Sequence, residues 1–146
     1  MNYLVGQELL DAERGHLVRL LVWSLASMLA GTVCLAWRRR AAAPSFWLHA
    51  GIQSVAWGAV DLGIVALAWS GLSPRDLAGA IALDRFLWLN VGLDVGYAMV
   101  GATLVILGMR APVRLGLVGA GVAVIVQGVA LAVLDLVLSA RIVHQA

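Results

Sequence analysis

The chain has 146 residues, of which 62% are hydrophobic and 12% charged, with a mean hydropathy of +0.95 and a formal charge of +2. Soluble domains are about 45–50% apolar and about 25% charged, so this composition excludes a soluble globular protein and reads as an integral membrane protein. At roughly 20 residues per crossing, four spans use nearly the whole chain and exclude a separate soluble catalytic domain.

Residues 3–16 interleave Leu4, Val5, Leu9 and Leu10 with Glu8, Asp11 and Glu13, a pattern expected to lie in the membrane interface. No basic region precedes an apolar run there and no small-residue cleavage site follows one, so the first span is expected to be retained as an anchor. Span one is 17–37, closed by Arg38, Arg39 and Arg40. Span two is 46–69, entered through Pro44 and Ser45 and ended by Ser70 and Gly71. Residues 74–85 carry Pro74, Arg75, Asp76, Asp84 and Arg85 around an apolar middle and are expected to form a second interfacial helix. Span three is 86–108 and span four 115–139, with Arg110, Pro112 and Arg114 in the turn between them. Runs this long are helices and not barrel strands, so the fold class is all-α, a four-transmembrane-helix bundle.

All ten basic residues are Arg, a bias of the kind a GC-rich bacterial genome produces, and they cluster at span ends, which argues against nucleic acid as partner and for lipid headgroups. They divide evenly: Arg38, Arg39, Arg40, Arg110 and Arg114 against Arg14, Arg19, Arg75, Arg85 and Arg141. The triplet flanks the first span closely and the acids outside the spans lie on the other side, so the triplet side is expected to be cytoplasmic, with both termini external to a bacterial inner membrane. The even division also leaves room for dual insertion and an antiparallel homodimer. The single Cys34 excludes an intrachain disulfide.

Asp61, Asp94 and Asp135 lie inside otherwise apolar spans, and a carboxylate at membrane depth costs a few kcal/mol on insertion scales unless something binds or protonates it. Two of them end the same decapeptide pattern: the segment from Gln53 to Leu62 aligns without gaps on that from Gln127 to Leu136, matching Gln, Val, Ala, Asp and Leu. Spans two and four run in the same direction, so this spacing points to two helical hairpins related by an axis along the membrane normal.

Spacing by three or four residues gives each span one polar face. Span two offers His49, Gln53, Trp57 and Asp61; span three Asn90, Asp94, Tyr97 and Gly101; span four Gln127 and Asp135; span one His16, Arg19, Trp23, Ser27 and Gly31. The expected binding set is therefore Asp61, Asp94, Asp135, Asn90, Tyr97, Gln127, Gln53, Trp57 and Arg19. Arg19 is the expected counter-charge, with His16 and Arg85 behind it. The competing reading is structural: polar side chains tie helices together, and Gly58, Gly63, Gly92, Gly96 and Gly101 permit close packing. A bis-His haem is not expected, since His16 and His49 belong to opposite sides, and the Glu13-x-x-His16 spacing of a di-iron bundle lacks its second copy. No nucleophile elbow, phosphate loop or zinc-ligand spacing occurs, so no metal, cofactor or catalytic residue is expected.

The run Leu87-Trp-Leu-Asn90-Val-Gly-Leu-Asp94-Val-Gly-Tyr97, with Gln127-Gly128 and Leu134-Asp135-Leu136 in the last span, resembles a family of small bacterial four-helix membrane proteins of unknown function. That resemblance implies the four-span architecture and no activity. The functional expectation is a polar pocket in the outer half of the bundle that binds a proton, cation or small polar ligand for transport or sensing, in a homodimer. The alternative is an accessory or assembly subunit of a larger membrane complex.

Overall fold

A computed structural model describes residues 2–41 and 44–144, with side chains described for 3–38 and 44–143. The side chains of Arg39 and Arg40 and that of His144 lie outside the described ones, as do residues 42 and 43. Four helices account for most of the chain: α1 (Gly6–Ala41), α2 (Ser45–Ser70), α3 (Leu77–Met109) and α4 (Leu115–Ile142). All four are long and apolar enough to cross a membrane. Large apolar side chains such as Val22, Leu29, Leu67 and Met99 stand exposed along their outer faces, as a lipid-facing surface requires.

Small residues set how the helices cross. Helix α1 meets α2 at Gly31 and Gly51: a methyl group on Gly31 would lie 2.7 Å from the Gly51 carbonyl oxygen, and one on Gly51 2.8 Å from that of Gly31. Helix α3 meets α4 in the same way at Gly101 and Gly121. Further along, Gly58 rests on the backbone of Ser24 and Met28, and Gly128 on that of Asp94 and Ala98. A constant offset of 70 residues carries Gly31, Gly51 and Gly58 onto Gly101, Gly121 and Gly128, and their neighbours Ser24, Met28 and Val55 onto Asp94, Ala98 and Ile125.

This corrects the register read from sequence, which laid Gln53 and Asp61 on Gln127 and Asp135. In the packed structure Gln127 takes the place of Trp57, one helical turn away. Glycines at the crossings fix the register because backbone-to-backbone approach tolerates no Cβ; a carboxylate facing a cavity imposes no such constraint.

The two hairpins join through α2 and α4, where Gly116 and Gly119 receive His49 and Phe46, and α1 also touches α4. Helices α2 and α3 do not pack along their lengths.

The stretches expected to lie flat in the interface are instead the first turns of α1 and α3. Their apolar residues find protein partners: Leu9, Ala12, Ala80, Leu87, Leu138 and Ile142 form a buried cluster, with Tyr3, Leu4 and Leu83 packed on it. Asp76 caps α3, its Oδ1 accepting from Gly79 N at 2.8 Å. The chain ends are tied to this cluster by a two-residue antiparallel ladder between β1 (Asn2–Tyr3) and β2 (Val143–His144). Leu4 N donates to Ile142 O at 2.9 Å and Gly6 N to Arg75 O at 2.7 Å; Gly6, at φ +62°, makes the left-handed turn into α1 that only glycine adopts freely. Residues 2–3 and 143–144 therefore lie at one end of the bundle.

Candidate functional site

Because α2 and α3 diverge, a cavity of about 620 Å³ opens between them, backed by α1 and α4. Its walls are apolar, with Val60 and Ile64 from α2 and Phe86 and Leu93 from α3. Its polar groups are few and acidic. Asp61, Asp94 and Asp135 all line it, together with Asn90, Trp57 and Tyr97.

The three carboxylates differ in what holds them. Asp61, 1% exposed, accepts a hydrogen bond from the Gln127 side-chain amide, and the Gln127 carbonyl accepts from Trp23 Nε1 at 3.1 Å. The indole can only donate, so it fixes which way the amide points and directs its N–H groups at the carboxylate. Asp135 lies 3.4 Å from His16 Nε2 and beside Asn90. Asp94, 6% exposed, has no hydrogen-bond partner among the described residues and sits within electrostatic reach of both Asp61 and Asp135. Its backbone is held by Gly128, whose missing side chain lets α4 pass against the Asp94 carbonyl.

One end of the cavity is closed by aromatic side chains, Trp57 and Tyr97, which meet edge to face across the gap with ring centroids 5.1 Å apart. At the other end, Arg75 donates from Nε and from its terminal nitrogen to the two carboxylate oxygens of Glu13, at 2.8 and 3.2 Å. This forked pair joins α1 to the loop between α2 and α3. Sequence reasoning did not find it, since Arg75 is distant along the chain and belonged to an expected surface helix. Nor did spacing reveal that Trp23 orients Gln127.

Six of the nine residues expected to bind thus line one cavity, and Gln127 stands directly behind Asp61. Arg19 and Gln53 do not line it. Arg19 is not the counter-charge: α1 presents Glu13, His16, Leu17 and Leu20 to the cavity, and at about 100° per residue Arg19 falls beside that face, about 100° round from Leu20. It borders a separate apolar groove between α1 and α4, lined by Trp23, Val126, Val129 and Val133. There its Nε and one terminal nitrogen are buried with no partner among the described residues, and its neighbouring charge is Arg141. The basic side chain nearest the acids is the His16 imidazole, beside Asp135. Gln53 is half-buried and makes no side-chain hydrogen bond among the described residues.

The chemistry available is that of an acceptor-rich hollow. Glu13 and Arg75 satisfy each other and the His16 imidazole lies against Asp135, while Asp61 and Asp94 form no ion pair among the described residues. Two buried carboxylates so placed are chemically able to take up a proton or to pair with a positive charge. Among the described residues, no three His, Cys, Asp or Glu side chains come close enough to hold a metal ion.

No curated protein and no solved structure matches the chain. The match to a family profile runs over residues 19–136, which includes Asp61, Asn90, Asp94, Tyr97, Gln127 and Asp135 and leaves out Glu13 and His16. Since it covers well over half of the chain, the protein belongs to that family, a family of unknown function (DUF6992).

Proposed function

We propose that this is a multi-pass protein of the bacterial inner membrane, with both termini external, whose outer-half pocket binds a proton or cation for transport or sensing. One observation carries the reading: Asp94 is buried in a cavity, beside two other carboxylates, with no hydrogen-bond partner among the described residues. A group so placed gains nothing for the fold and costs desolvation, so its ligand comes from outside the chain. The 70-residue recurrence of the helix crossings supports two parallel-repeat hairpins, with the pocket in the gap between them. The test is thermal stability in detergent as proton and cation concentrations are varied, for the parent and Asp94→Asn. A parent that responds and a folded variant that does not support the pocket; a parent that responds to neither sinks it.

A second reading, an assembly subunit or a homodimer, is favoured by the glycines that the bundle leaves unused. A methyl group on Gly63, Gly92 or Gly96 would meet nothing within 4 Å, and Gly92 and Gly96 have the one-turn spacing of a helix-docking face on α3. The two readings are compatible if pockets pair in a dimer.

A further inference from the structure

Resting on the pocket reading above, we infer that the ligand is an organic cation carrying bulky apolar groups, such as an aryl or long-alkyl ammonium or phosphonium and unlike the compact tetramethylammonium, and that it enters sideways from the lipid between α2 and α3. Size argues first. A water occupies about 30 Å³ and a bare ion less, whereas 620 Å³ is the volume of sites that take drug-sized molecules. The lining argues next: Val60, Ile64, Phe86 and Leu93 give hydrocarbon walls, which a small hydrophilic ion does not use. Trp57 and Tyr97 add aromatic faces beside the carboxylates, the surroundings in which alkylated cations are held by cation–π attraction. The route follows from the packing, because α2 and α3 are separated along their lengths and Val60, Phe86 and Leu93 are exposed at the slot between them.

The experiment titrates tetraphenylphosphonium, neutral triphenylphosphine oxide and tetramethylammonium into the protein in lipid nanodiscs, with Asp94→Asn and the slot-filling Val60→Trp as variants, both checked for folding by thermal melting. Saturable binding of the phosphonium, weakened about tenfold or more by Asp94→Asn and by Val60→Trp, with no binding of the neutral oxide, is the result expected. Binding of tetramethylammonium or protons alone, lost in Asp94→Asn and unaffected by Val60→Trp, overturns the ligand class and leaves the cation pocket standing. Equal binding of the phosphonium and the neutral oxide overturns charge recognition, and no binding of any probe overturns both readings.

A separate observation assigns a second site. Arg19 has two buried nitrogens without partners among the described residues, Arg141 is the charge beside it, and the groove below them is lined by Val126, Val129 and Val133. A guanidinium with buried, unpartnered nitrogens at the edge of a hydrocarbon groove, with a second arginine within electrostatic reach, fits the phosphate and acyl chain of an anionic phospholipid. Native mass spectrometry with phosphatidylglycerol and phosphatidylcholine, alongside melting in glycerol phosphate, tests this. Preferential retention of phosphatidylglycerol, lost in Arg19→Gln, is expected. Equal retention of both lipids, retention in the variant, or the same stabilisation by glycerol phosphate alone overturns the lipid assignment.

Discussion

Gln127 on α4 donates its side-chain amide to the Asp61 carboxylate on α2 and accepts from the Trp23 indole on α1, so one side chain ties three helices at the buried centre of the bundle. Gln127→Leu deletes a donor and an acceptor at once and leaves Asp61 and the indole unsatisfied. A loss of about 1–3 kcal/mol in unfolding free energy is expected. Trp23→Phe removes only the outer donor and should cost less. Unfolding in mixed detergent micelles measures both, and a Gln127→Leu protein as stable as its parent would show that the relay contributes nothing.

Asp94 should behave in the opposite way. With no partner to lose among the described residues and two like neighbours to escape, Asp94→Leu is expected to be neutral or stabilising, while Asp61→Leu strands the Gln127 amide and destabilises by about 1–3 kcal/mol. Melting temperatures of the two variants under one set of conditions decide it. Equal losses would mean that Asp94 holds the bundle together after all.

The Glu13–Arg75 fork closes one end of the cavity and anchors the α2–α3 loop to α1. Glu13 is buried and Arg75 partly exposed, so breaking the fork with Arg75→Gln costs about 1–2 kcal/mol, below the figure for a fully buried pair. The same change frees the loop, and faster backbone amide exchange is expected from Leu72 to Asp76. Unchanged exchange there would assign the fork no part in closing the cavity.

Hydropathy made the four helices legible, because twenty-residue apolar runs have few other uses. Helical spacing likewise placed Asp61, Asn90, Asp94 and Tyr97 on inward faces, and the structure brings them to one cavity. What spacing could not supply was rotation between helices. His16 and Arg19 share the same stretch of α1, yet His16 lines the cavity beside Asp135 while Arg19 borders the α1–α4 groove, a rotation of α1 against its neighbours that spacing alone does not give. The register of the two hairpins was hidden for a related reason. The Gln and Asp pairs that match most visibly in sequence are not equivalent in space, whereas the glycines that are equivalent look like ordinary small residues in a hydrophobic chain.

That distinction among glycines gives the last prediction. At Gly51 and Gly101 an added methyl would press on a backbone carbonyl, whereas at Gly92 and Gly96 it would meet open space. Gly51→Ala and Gly101→Ala are therefore expected to destabilise by about 1–3 kcal/mol through overpacking of the α1–α2 and α3–α4 crossings. Gly92→Ala and Gly96→Ala should leave the fold of a single chain untouched. If α3 docks on a second chain through that face, the bulkier Gly92→Leu and Gly96→Leu separate the chains without unfolding them, shifting the mass measured by light scattering in detergent while the melting temperature holds. A mass that stays constant across both variants would remove α3 as a docking helix, and equal destabilisation by all four alanines would remove the distinction itself.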